Sequence, residues 1–346
     1  MSTVIKYLDP TTEPDWDENL AAFPGSIVFH TSSWARTLKM SYGYRPLYAT
    51  WEESGQPVCM VPLMEISSRL TGRRGVSLPF TDWCPMVSDG RPVDGNAVDE
   101  LMEYGRSRKW KYLELRNSEE PVPEDADAPP YLVHELDLEP GEEELLKQCR
   151  DSTRRNIRKA AKLGVSVVED NGREGLKEFT RLNVITRRDH GLPPQPGVFF
   201  ENLHRYIIEP GNGRILLAKF EGATIAAAVY LSYKGKAIYK YGASDRRQQH
   251  LRANNLLMWE AIKRYAGDGA ASLHFGKTDS DQAGLLQFKR GWGAREGGLQ
   301  YHKYRLPGGD TIPYESLTFG LHNRIFSRMP LAALGVVGKV LYRHMG

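Results

Sequence analysis

The order of predicted elements repeats along the chain, and this repeat limits the fold more than any other feature. In the first copy, residues 46–62 have the pattern of two strands joined by a Glu-Ser-Gly turn. A helical pattern at residues 96–108 then leads into an apolar strand at 111–115. Short apolar runs around a tight turn predict a β-hairpin, and the helix that follows predicts an α/β unit.

The second copy begins at residue 214. Residues 214–231 again read as strand, Glu-Gly turn and strand, and another strand pattern follows at 239–243. A helix at 255–266 then precedes a short strand at 272–275. The shared order of elements and the shared turn chemistry predict that one α/β unit is duplicated.

The length of the chain agrees with two domains. At 346 residues it exceeds what one hydrophobic core normally serves. An acidic, proline-rich stretch at 117–130 predicts a loop, and a boundary is expected near Pro140. We therefore predict an N-terminal domain at 1–140, a C-terminal domain at 141–306 and an amphipathic tail at 307–346.

The composition excludes several classes of protein. The formal net charge of +3 is too small to indicate nucleic-acid binding by itself. Cys59, Cys84 and Cys149 are widely separated and form no CxxC pair, which disfavours a disulfide framework and a zinc site. No other residues have metal-ligand spacing, so no metal is expected, and a reducing cytosol is the expected location.

Neither end of the sequence predicts a membrane span. The first residues lack a basic region followed by an apolar core, so no secretory signal is expected. Residues 330–341 are apolar but include Lys339, and they are shorter than the roughly 20 residues that cross a bilayer. Two alternatives stay open for this segment: peripheral contact with the inner membrane, and packing on the protein itself.

A strongly basic helix is predicted at 142–163. Its apolar positions share one side, while Arg154, Arg155 and Arg158 lie on the others. A solvated helix face is one interpretation of these cations. The other is a binding site, because arginine favours bidentate recognition of phosphate or carboxylate.

The stretch at 273–294 carries the strongest signal of chemistry. An apolar strand ends in Gly276, Lys277 and Thr278, and Lys289 and Trp292 follow within a Phe-Lys-Arg-Gly-Trp-Gly run. Glycine lets a ligand approach the backbone, and lysine supplies a cation for a phosphate or a developing oxyanion. The segment is not a Walker A loop, because its first glycine and four-residue spacer are missing.

Several motifs together resemble the Fem-type (FemAB) branch of the GNAT acyltransferase superfamily, in particular the FemAB-like proteins associated with exopolysaccharide export (PEP-CTERM systems). The first-half motifs are SSWARTLKMSYGYRPLY at 32–48 and SLPFTDW at 77–83. The second-half motifs are STRRNIRKAAKLGV at 152–165, TRRDHGLPPQPGVFF at 186–200, YKYGASD at 239–245, NNLLMWEAIK at 254–263, FGKT at 275–278 and QFKRGWGA at 287–294.

This resemblance implies an α/β (α+β) fold of tandem GNAT-like domains, each a mixed, mostly antiparallel sheet flanked by helices. Fem-type enzymes move an aminoacyl group from charged tRNA to an amine of a peptidoglycan precursor, and relatives with the same fold use acyl-CoA. The co-substrate is therefore expected to be aminoacyl-tRNA or acyl-CoA, with no tightly bound cofactor. By resemblance, Lys289 stabilises the oxyanion at the donor carbonyl, and Trp292 packs beside it.

The remaining candidates follow from the same motifs. Where CoA-using relatives have a glycine-rich turn, this chain has RRQQHLRANN at 246–255, so phosphate would have to be bound by side chains. Asp245 is the candidate base, and Asp279, Asp281 and His190 are the alternatives within the same motifs. The candidate phosphate ligands are Arg246, Arg247 and Arg252, and the candidate substrate-binding residues are Lys277, Thr278, Trp292, Arg154, Arg155, Arg158, Arg187, Arg188 and His190.

Three functions stay open. The first is transfer of an aminoacyl or acyl group to an amine of a cell-envelope precursor, from peptidoglycan or exopolysaccharide synthesis. The second is acyl-CoA-dependent N-acylation of a soluble amine or amino sugar. The third is non-catalytic binding of tRNA or another anionic polymer. The sequence does not name the acyl group, the acceptor, the general base or the oligomeric state.

Overall fold

The structure is a computed structural model that describes residues 4–91, 96–120, 131–306, 308–312 and 321–346. Most of the predicted loop at 117–130 lies outside these residues. The chain forms two compact units. Unit 1 comprises Met1–Pro130, Gly298–Ser316 and Val340–Gly346, and unit 2 comprises Tyr131–Gly297 and Leu317–Lys339.

Unit 1 contains most of the elements of the first half of the sequence. Its strands there are β1 (Val4–Leu8), β2 (Arg45–Pro46), β3 (Tyr48–Glu53), β4 (Gln56–Val61), β5 (Met64–Ser68), β6 (Gly72–Val76), β7 (Val87–Ser88) and β8 (Tyr112–Glu120). Its helices there are α1 (Trp16–Asn19), α2 (Ser32–Tyr42) and α3 (Ala97–Ser107).

Two sheets organise unit 1. One has the order β1-β3-β4-β7, and the other places β8, β6, β5 and β2 side by side. The predicted hairpin is β3–β4, and its loop residues Ser54 and Gly55 both have positive φ. This is the backbone that a two-residue type I′ turn requires. Trp34 and Phe29 of this unit have no solvent exposure, and their ring centroids lie 4.9 Å apart.

Unit 2 contains the second copy. Its strands are β9 (Tyr131–Asp137), β10 (Ser166–Glu169), β11 (Gly213–Phe220), β12 (Ala223–Tyr233), β13 (Lys236–Ser244), β14 (Ser272–His274) and β15 (Thr278–Asp279). Its helices are α4 (Glu142–Gln148), α5 (Asp151–Lys162), α6 (Arg173–Asp189), α7 (Gly197–Leu203), α8 (Ala253–Gly267) and α9 (Ala283–Arg290). The later elements are β16 (Arg295–Arg305), α10 (Leu321–Arg328) and α11 (Leu331–Met345).

One sheet organises unit 2, in the order β10-β11-β12-β13-β14-β9. All neighbours are antiparallel except β13 and β14, which are parallel. Consecutive residues of β11 and β12 are buried, so both faces of these strands are covered. Helices α8 and α6 both contact the two strands, and α5 packs against α8. Tight turns with positive φ at Glu221 and Gly222 confirm the second predicted hairpin.

The predicted single helix at 142–163 is wrong, because the structure divides it into α4 and α5. Cys149 and Arg150 have extended ψ angles of 142° and 149°. The amide of Arg150 donates to the carbonyl oxygen of Gly291 at 2.9 Å, so a tertiary contact replaces the continuous helical ladder. No pattern in the local sequence predicts this break.

The predicted domain boundaries stay predictions. The strand Tyr131–Asp137, expected in the N-terminal domain, belongs to unit 2 because β9 pairs with β14. Residues 298–305 of β16 belong to unit 1 and pair with β8. These memberships depend on pairing between distant residues, which composition does not reveal.

A buried carboxylate ties α3 to the sheet of unit 1. Glu65 is 7% exposed and accepts from Arg108 Nη2 at 2.7 Å and from Trp110 Nε1 at 2.7 Å. Burial alone would raise the pKa of this carboxyl, but the hydrogen bonds from Arg108 and Trp110 lower it below the ordinary value. The ionised form is therefore the one that stabilises the fold.

We expect Glu65→Gln to lower the free energy of unfolding by about 1–3 kcal/mol at neutral pH. The contribution is fully present above the ordinary glutamate pKa, about 4.3, and is lost as the pH falls through the lowered folded pKa. Chemical denaturation at several pH values measures it, with exposed Glu103→Gln of α3 as the control. A loss of stability that does not shrink toward low pH would contradict this role.

Candidate functional site

The parallel strands β13 and β14 separate after three residues, and this opening defines the candidate site. They pair from Lys236–Ser272 to Ile238–His274. Beyond that point Tyr239–Ser244 stays paired with β12, whereas the chain after His274 pairs with β9. A register shift between Val229 and Tyr230 marks a bulge in the β12–β13 pair, which increases the local twist. Two backbone edges therefore face an opening at the end of the parallel pair.

A glycine turn forms one side of this opening. Gly276 has a φ of +70°, which side chains rarely adopt, and its amide donates to His274 Nδ1 at 2.9 Å. The amide of Phe275 donates to the His134 carbonyl at 2.8 Å, and Thr278 then pairs with Leu132. The Gly-Lys-Thr segment is therefore a rigid bend of backbone rather than a mobile loop.

Lys289 lies under this bend. It is 2% exposed, and its ammonium donates to the carbonyl oxygens of Gly276 at 2.8 Å and Lys277 at 3.2 Å. A charge removed from water needs such partners, since an unpaired buried ammonium is very costly. Lys289 leaves α9 in its last turn, so the helix places the cation beneath the end of β14.

Lys277 and Thr278 differ in environment. The Lys277 ammonium lies 3.6 Å from the centroid of the Tyr131 ring, a cation–π geometry. Thr278 is 2% exposed, and among the described residues its hydroxyl has no hydrogen-bond partner. Buried polar atoms are normally satisfied, so this hydroxyl is free to contact a ligand.

Trp292 closes the inner side of the same region. It is fully buried and packs edge-on against Phe288 at a centroid distance of 5.8 Å. Its amide donates to the Lys289 carbonyl at 3.2 Å, which fixes the end of α9. The expected proximity of Trp292 and Lys289 is therefore present in the backbone, and the ring belongs to the core.

His134 and Glu296 were missed by sequence reasoning. His134 is completely buried on β9, and its Nε2 lies 2.8 Å from Glu296 Oε2. Arg290 in turn donates to Glu296 at 2.6 and 2.8 Å. Burial lowers the pKa of His134, Glu296 raises it, and the positive charges of Lys289 and Arg290 lower it again. A single histidine within the apolar run YLVHELD was the available signal.

A second group of candidates meets where α6 and β13 end. The amide of Ser244 donates to Thr186 Oγ1 at 3.0 Å, and this hydroxyl donates to the Ser244 carbonyl at 3.2 Å. The hydrogen bonds between Thr186 and Ser244 hold the two ends together, and His190 lies within range of the positive charges of Arg187 and Arg246. Partial burial, then Arg187 and Arg246, lower the pKa of His190, so the imidazole is neutral at pH 7. Arg188 extends this group, 3.7 Å from Asp189.

Asp245 caps the turn after β13. Its carboxylate accepts from the Arg247 amide at 3.0 Å and from Arg247 Nη2 at 2.6 Å. The Arg247 hydrogen bond lowers the pKa of Asp245, which makes this carboxylate a weak base. Its role as the base stays a prediction, and its contacts favour capping.

The candidate CoA turn differs from a glycine-rich cradle. Residues 246–251 form a 3₁₀ turn, and Arg252 has a φ of +58° at the start of α8. The Arg252 amide donates to the Gln249 carbonyl at 3.1 Å, so it is occupied within the turn. Arg246, Arg247 and Arg252 are exposed, and Arg247 is paired with Asp245.

The third group lines a pocket between α4 and α5. The pocket has a volume of about 420 Å³. Arg154 is paired with Asp151 and donates to the Lys147 carbonyl at 2.7 Å. The lining residues are Glu143, Leu146, Lys147, Asp151, Arg154, Arg155 and Arg158.

Unit 2 therefore brings the candidates together in three groups rather than one. The opening holds Lys277, Thr278 and Lys289, with Trp292 behind them. Within the described ranges, no group of three His, Cys, Asp or Glu side chains has the geometry to hold a metal ion. In the same residues, no helix has the length and apolarity needed to cross a membrane.

Comparisons with known proteins agree with this architecture. Residues 147–290 match the acetyltransferase (GNAT) domain family. A lipid II:glycine glycyltransferase of Staphylococcus epidermidis is 24% identical over 219 residues, covering 44% of this chain and 52% of that protein. The chain thus spans about half the length of the curated relatives it matches.

Two solved structures share the fold. The crystal structure of FemX has a TM-score of 0.68 at 17% identity and covers 89% of this chain and 98% of that chain. A tandem GNAT protein from the clavulanic acid biosynthesis pathway has a TM-score of 0.57 at 11% identity, covering 88% and 98%. The expected mixed α/β fold of tandem GNAT type is confirmed.

The matched domain is of the GNAT acyltransferase class. Together with this match, the glycyltransferase and FemX similarities support the resemblance of this chain to the FemAB-like branch of that class. The Fem-type resemblance read from the sequence is confirmed at this level. The narrower resemblance to exopolysaccharide-associated members stays a prediction.

We expect Gly291→Ala to destabilise the packing between the end of α9 and α5, next to the candidate site. A Cβ on Gly291 would lie 2.5 Å from Thr153 Oγ1 and 3.1 Å from the Phe288 carbonyl oxygen. The crowding should lower the free energy of unfolding by about 1–3 kcal/mol, measured by chemical denaturation. Gly284→Ala on α9, with nothing within 4 Å of the added atom, is the control and should be neutral or stabilising. Equal effects of both changes would contradict the packing described.

Proposed function

We propose that this chain is a Fem-type acyltransferase that moves an aminoacyl or acyl group to an amine of a cell-envelope precursor. The acceptor belongs to peptidoglycan or exopolysaccharide synthesis. The single observation that carries the proposal is the opening between β13 and β14 with the buried Lys289 ammonium beneath its Gly276 side.

The opening suits an acyl donor. An acyl or aminoacyl group that enters it meets the edge of Tyr239–Ser244 on one side and the bend at Gly276 on the other. The strand edge offers backbone amides and carbonyls that a ligand can pair with, as an added strand would. The donor carbonyl is thereby oriented for attack.

Transfer requires a neutral amine and a stabilised tetrahedral oxyanion. The amine nitrogen attacks the donor carbonyl carbon, and the carbonyl electrons move to oxygen. Collapse of the tetrahedral intermediate re-forms the carbonyl and breaks the bond to the carrier's oxygen or sulfur, which takes up the proton that the amine nitrogen loses. No covalent enzyme intermediate is needed. Lys289 supplies fixed positive charge at the bend, and the Thr278 hydroxyl supplies a further hydrogen bond.

The acceptor is proposed to be anionic. Arg187, Arg188 and His190 gather at the end of α6, close to Arg246. Guanidinium groups bind phosphates and carboxylates in a bidentate way, which suits a lipid-linked or nucleotide-linked precursor. Neutral His190 and ionised Asp245 are both near the end of β13, and His190 has the pKa better suited to accepting a proton.

Aminoacyl-tRNA is the preferred donor, because the chain is 24% identical over 219 residues to a protein named lipid II:glycine glycyltransferase, and Fem-type enzymes take their aminoacyl group from charged tRNA. The second candidate is acyl-CoA, which the GNAT domain match favours. In that case Arg246, Arg247 and Arg252 would bind the pyrophosphate through side chains, since the Arg252 amide is already bonded.

Peripheral contact with the inner membrane is proposed for α11, in an otherwise cytoplasmic enzyme. Val336 and Val340 are 64% and 55% exposed, next to the exposed cations Lys339 and Arg343, while Leu334 is buried. An exposed apolar strip flanked by lysine and arginine suits the surface of an anionic bilayer. Such contact would bring the enzyme to lipid-linked acceptors.

Lys289→Met tests the site. The change keeps the length of the side chain but removes the donor to the Gly276 and Lys277 carbonyls. With glycyl-tRNA or acetyl-CoA as donor and lipid II as acceptor, we expect kcat to fall about 100- to 1000-fold. Lys263→Met on α8, another lysine of unit 2, is the matched control and should leave kcat unchanged.

Thermal unfolding of both variants separates catalysis from folding. Lys289→Met is expected to melt cooperatively, at a temperature lowered by the two unsatisfied carbonyl oxygens. A folded Lys289→Met protein with the kcat of the parent would refute the role of Lys289. Absence of transfer by the parent protein with either donor would argue for the binding-only function.

A further inference from the structure

The turn between β5 and β6 carries the most exposed large apolar side chain of the described residues. Leu70 at its tip is 74% exposed. The turn consists of residues 69–71, and the hairpin closes at Gly72, whose φ of +86° suits the left-handed position at the end of a three-residue loop. A single exposed leucine is ordinary on a protein surface, so the surroundings of this one decide what it means.

The side chains around the tip are positively charged. Arg69 precedes the tip, Arg73 follows it, and both are exposed. Exposed Lys111 lies over Gly72, where an added Cβ would collide with the lysine stem. Within the described ranges, no ion pair joins these three cations to an acidic side chain. No Asp or Glu occurs from 66 to 81, so the turn has no local acid to neutralise it.

The end of α11 is attached to the same turn within unit 1. The Thr71 hydroxyl donates to the His344 carbonyl at 3.2 Å, and Arg74 Nη2 donates to that carbonyl at 2.7 Å. Ser68 Oγ and His344 Nδ1 lie 2.9 Å apart. The next residue of α11, Met345, is 57% exposed. These hydrogen bonds therefore hold a second exposed apolar side chain beside the turn.

We propose that the β5–β6 turn inserts Leu70 into an anionic lipid bilayer, with Arg69 and Arg73 at the depth of the lipid phosphates. An apolar tip between cations suits the boundary of acyl chains and headgroups, because arginine can bury its stem while its charge stays in water. Anionic lipids attract each cation, and no local acid opposes this attraction. The proposal extends the membrane contact proposed for α11, and it rests on the proposed function only in its reason for a membrane, a lipid-linked acceptor.

Other partners suit the turn less well. Specific protein–protein interfaces cover roughly 800 Å² on each partner and centre on packed aromatic or apolar side chains. A three-residue turn with one apolar tip is too small to form such a centre, whereas a bilayer requires no complementary shape. Nucleic acid would pair with the arginines through its phosphates but would leave Leu70 in water.

Binding of the full chain to vesicles tests the proposal with no donor or acceptor present. Sedimentation with vesicles of mixed phosphatidylglycerol and phosphatidylcholine gives the partition coefficient, and pure phosphatidylcholine is the uncharged comparison. We expect Leu70→Asn to lower the partition coefficient about tenfold, because the inserted apolar side chain is lost. Leu163→Asn, the same change at an exposed leucine of unit 2, is the matched control and should bind like the parent.

The cations are tested in the same assay. Arg69→Gln/Arg73→Gln should lower binding to the anionic vesicles about tenfold or more and leave binding to phosphatidylcholine unchanged. Arg155→Gln/Arg158→Gln, an exposed pair on α5, removes the same charge and should bind like the parent.

A dye at position 70 reports insertion directly. Cys59, Cys84 and Cys149 are buried, so an environment-sensitive thiol dye will label Leu70→Cys selectively. Its emission should shift to the blue with anionic vesicles, whereas the same dye on Leu163→Cys should not shift. Thermal unfolding checks that each variant is folded, and changes at these exposed positions should leave the melting temperature unchanged.

Several results would overturn the proposal. They are absence of vesicle binding by the parent, equal weakening by a variant and its matched control, equal binding to neutral and anionic vesicles, and an unshifted dye at position 70. Val336→Thr/Val340→Thr tests α11 separately. Loss of binding in that variant, with Leu70→Asn binding like the parent, would confine the contact to α11 and exclude insertion of the turn.

The outcome is separable from the proposed function because the vesicles carry no lipid-linked acceptor. Vesicle binding that depends on Leu70, in a parent protein that transfers no acyl group, would support this surface and refute the transferase. Transfer to lipid II in vesicles with the parent KM in Leu70→Asn, and no shift of the dye, would refute this surface and leave the transferase in place.

Discussion

The buried ammonium of Lys289 fixes the geometry on which the candidate site depends. Its hydrogen bonds to the carbonyls of Gly276 and Lys277 hold the chain in a bend after β14. The bend directs the chain to β9 and away from β13, so the parallel pair opens. Burial of a lysine ammonium costs free energy, because the charge loses its water. The role of Lys289 at the opening, where it supplies a fixed positive charge, accounts for this cost.

The positive charge of unit 2 is concentrated in separate regions. Fixed positive charge lies at the bend, at the end of α6 and along α5, while His134 and His190 have lowered pKa values that keep them neutral near these cations. In the proposed function, the donor and the acceptor are anionic and the reacting carbonyl becomes negatively charged during transfer. Separate cationic regions can hold these groups without neutralising one another.

The sequence predicted the elements of the fold better than their arrangement. Both hairpins could be predicted because Ser-Gly and Glu-Gly turns and alternating apolar residues are local signals. The break between α4 and α5 could not, because it depends on the bond from Arg150 to Gly291, more than a hundred residues away. The opening between β13 and β14 depends likewise on the pairing of Thr278 with Leu132.

The candidate site was partly predictable for the same reason. Lys289 and Trp292 stand in a recognisable motif, but the contact of Lys289 with two backbone carbonyls is a tertiary feature. His134 lies far from that motif in the sequence and reaches the site through β9. Single histidines in apolar strands carry no distinguishing pattern, so only the structure could relate it to Lys289.

Amide hydrogen exchange with and without donor tests whether the opening between β13 and β14 is the acyl site. The full chain would be compared alone, with acetyl-CoA and with glycyl-tRNA. If the opening is the acyl site, the donor that supports transfer should slow exchange in peptides covering 239–245 and 275–279, where strand edges acquire partners. Transfer activity accompanied by protection elsewhere, with these two segments unchanged, would show that the opening is not the acyl site.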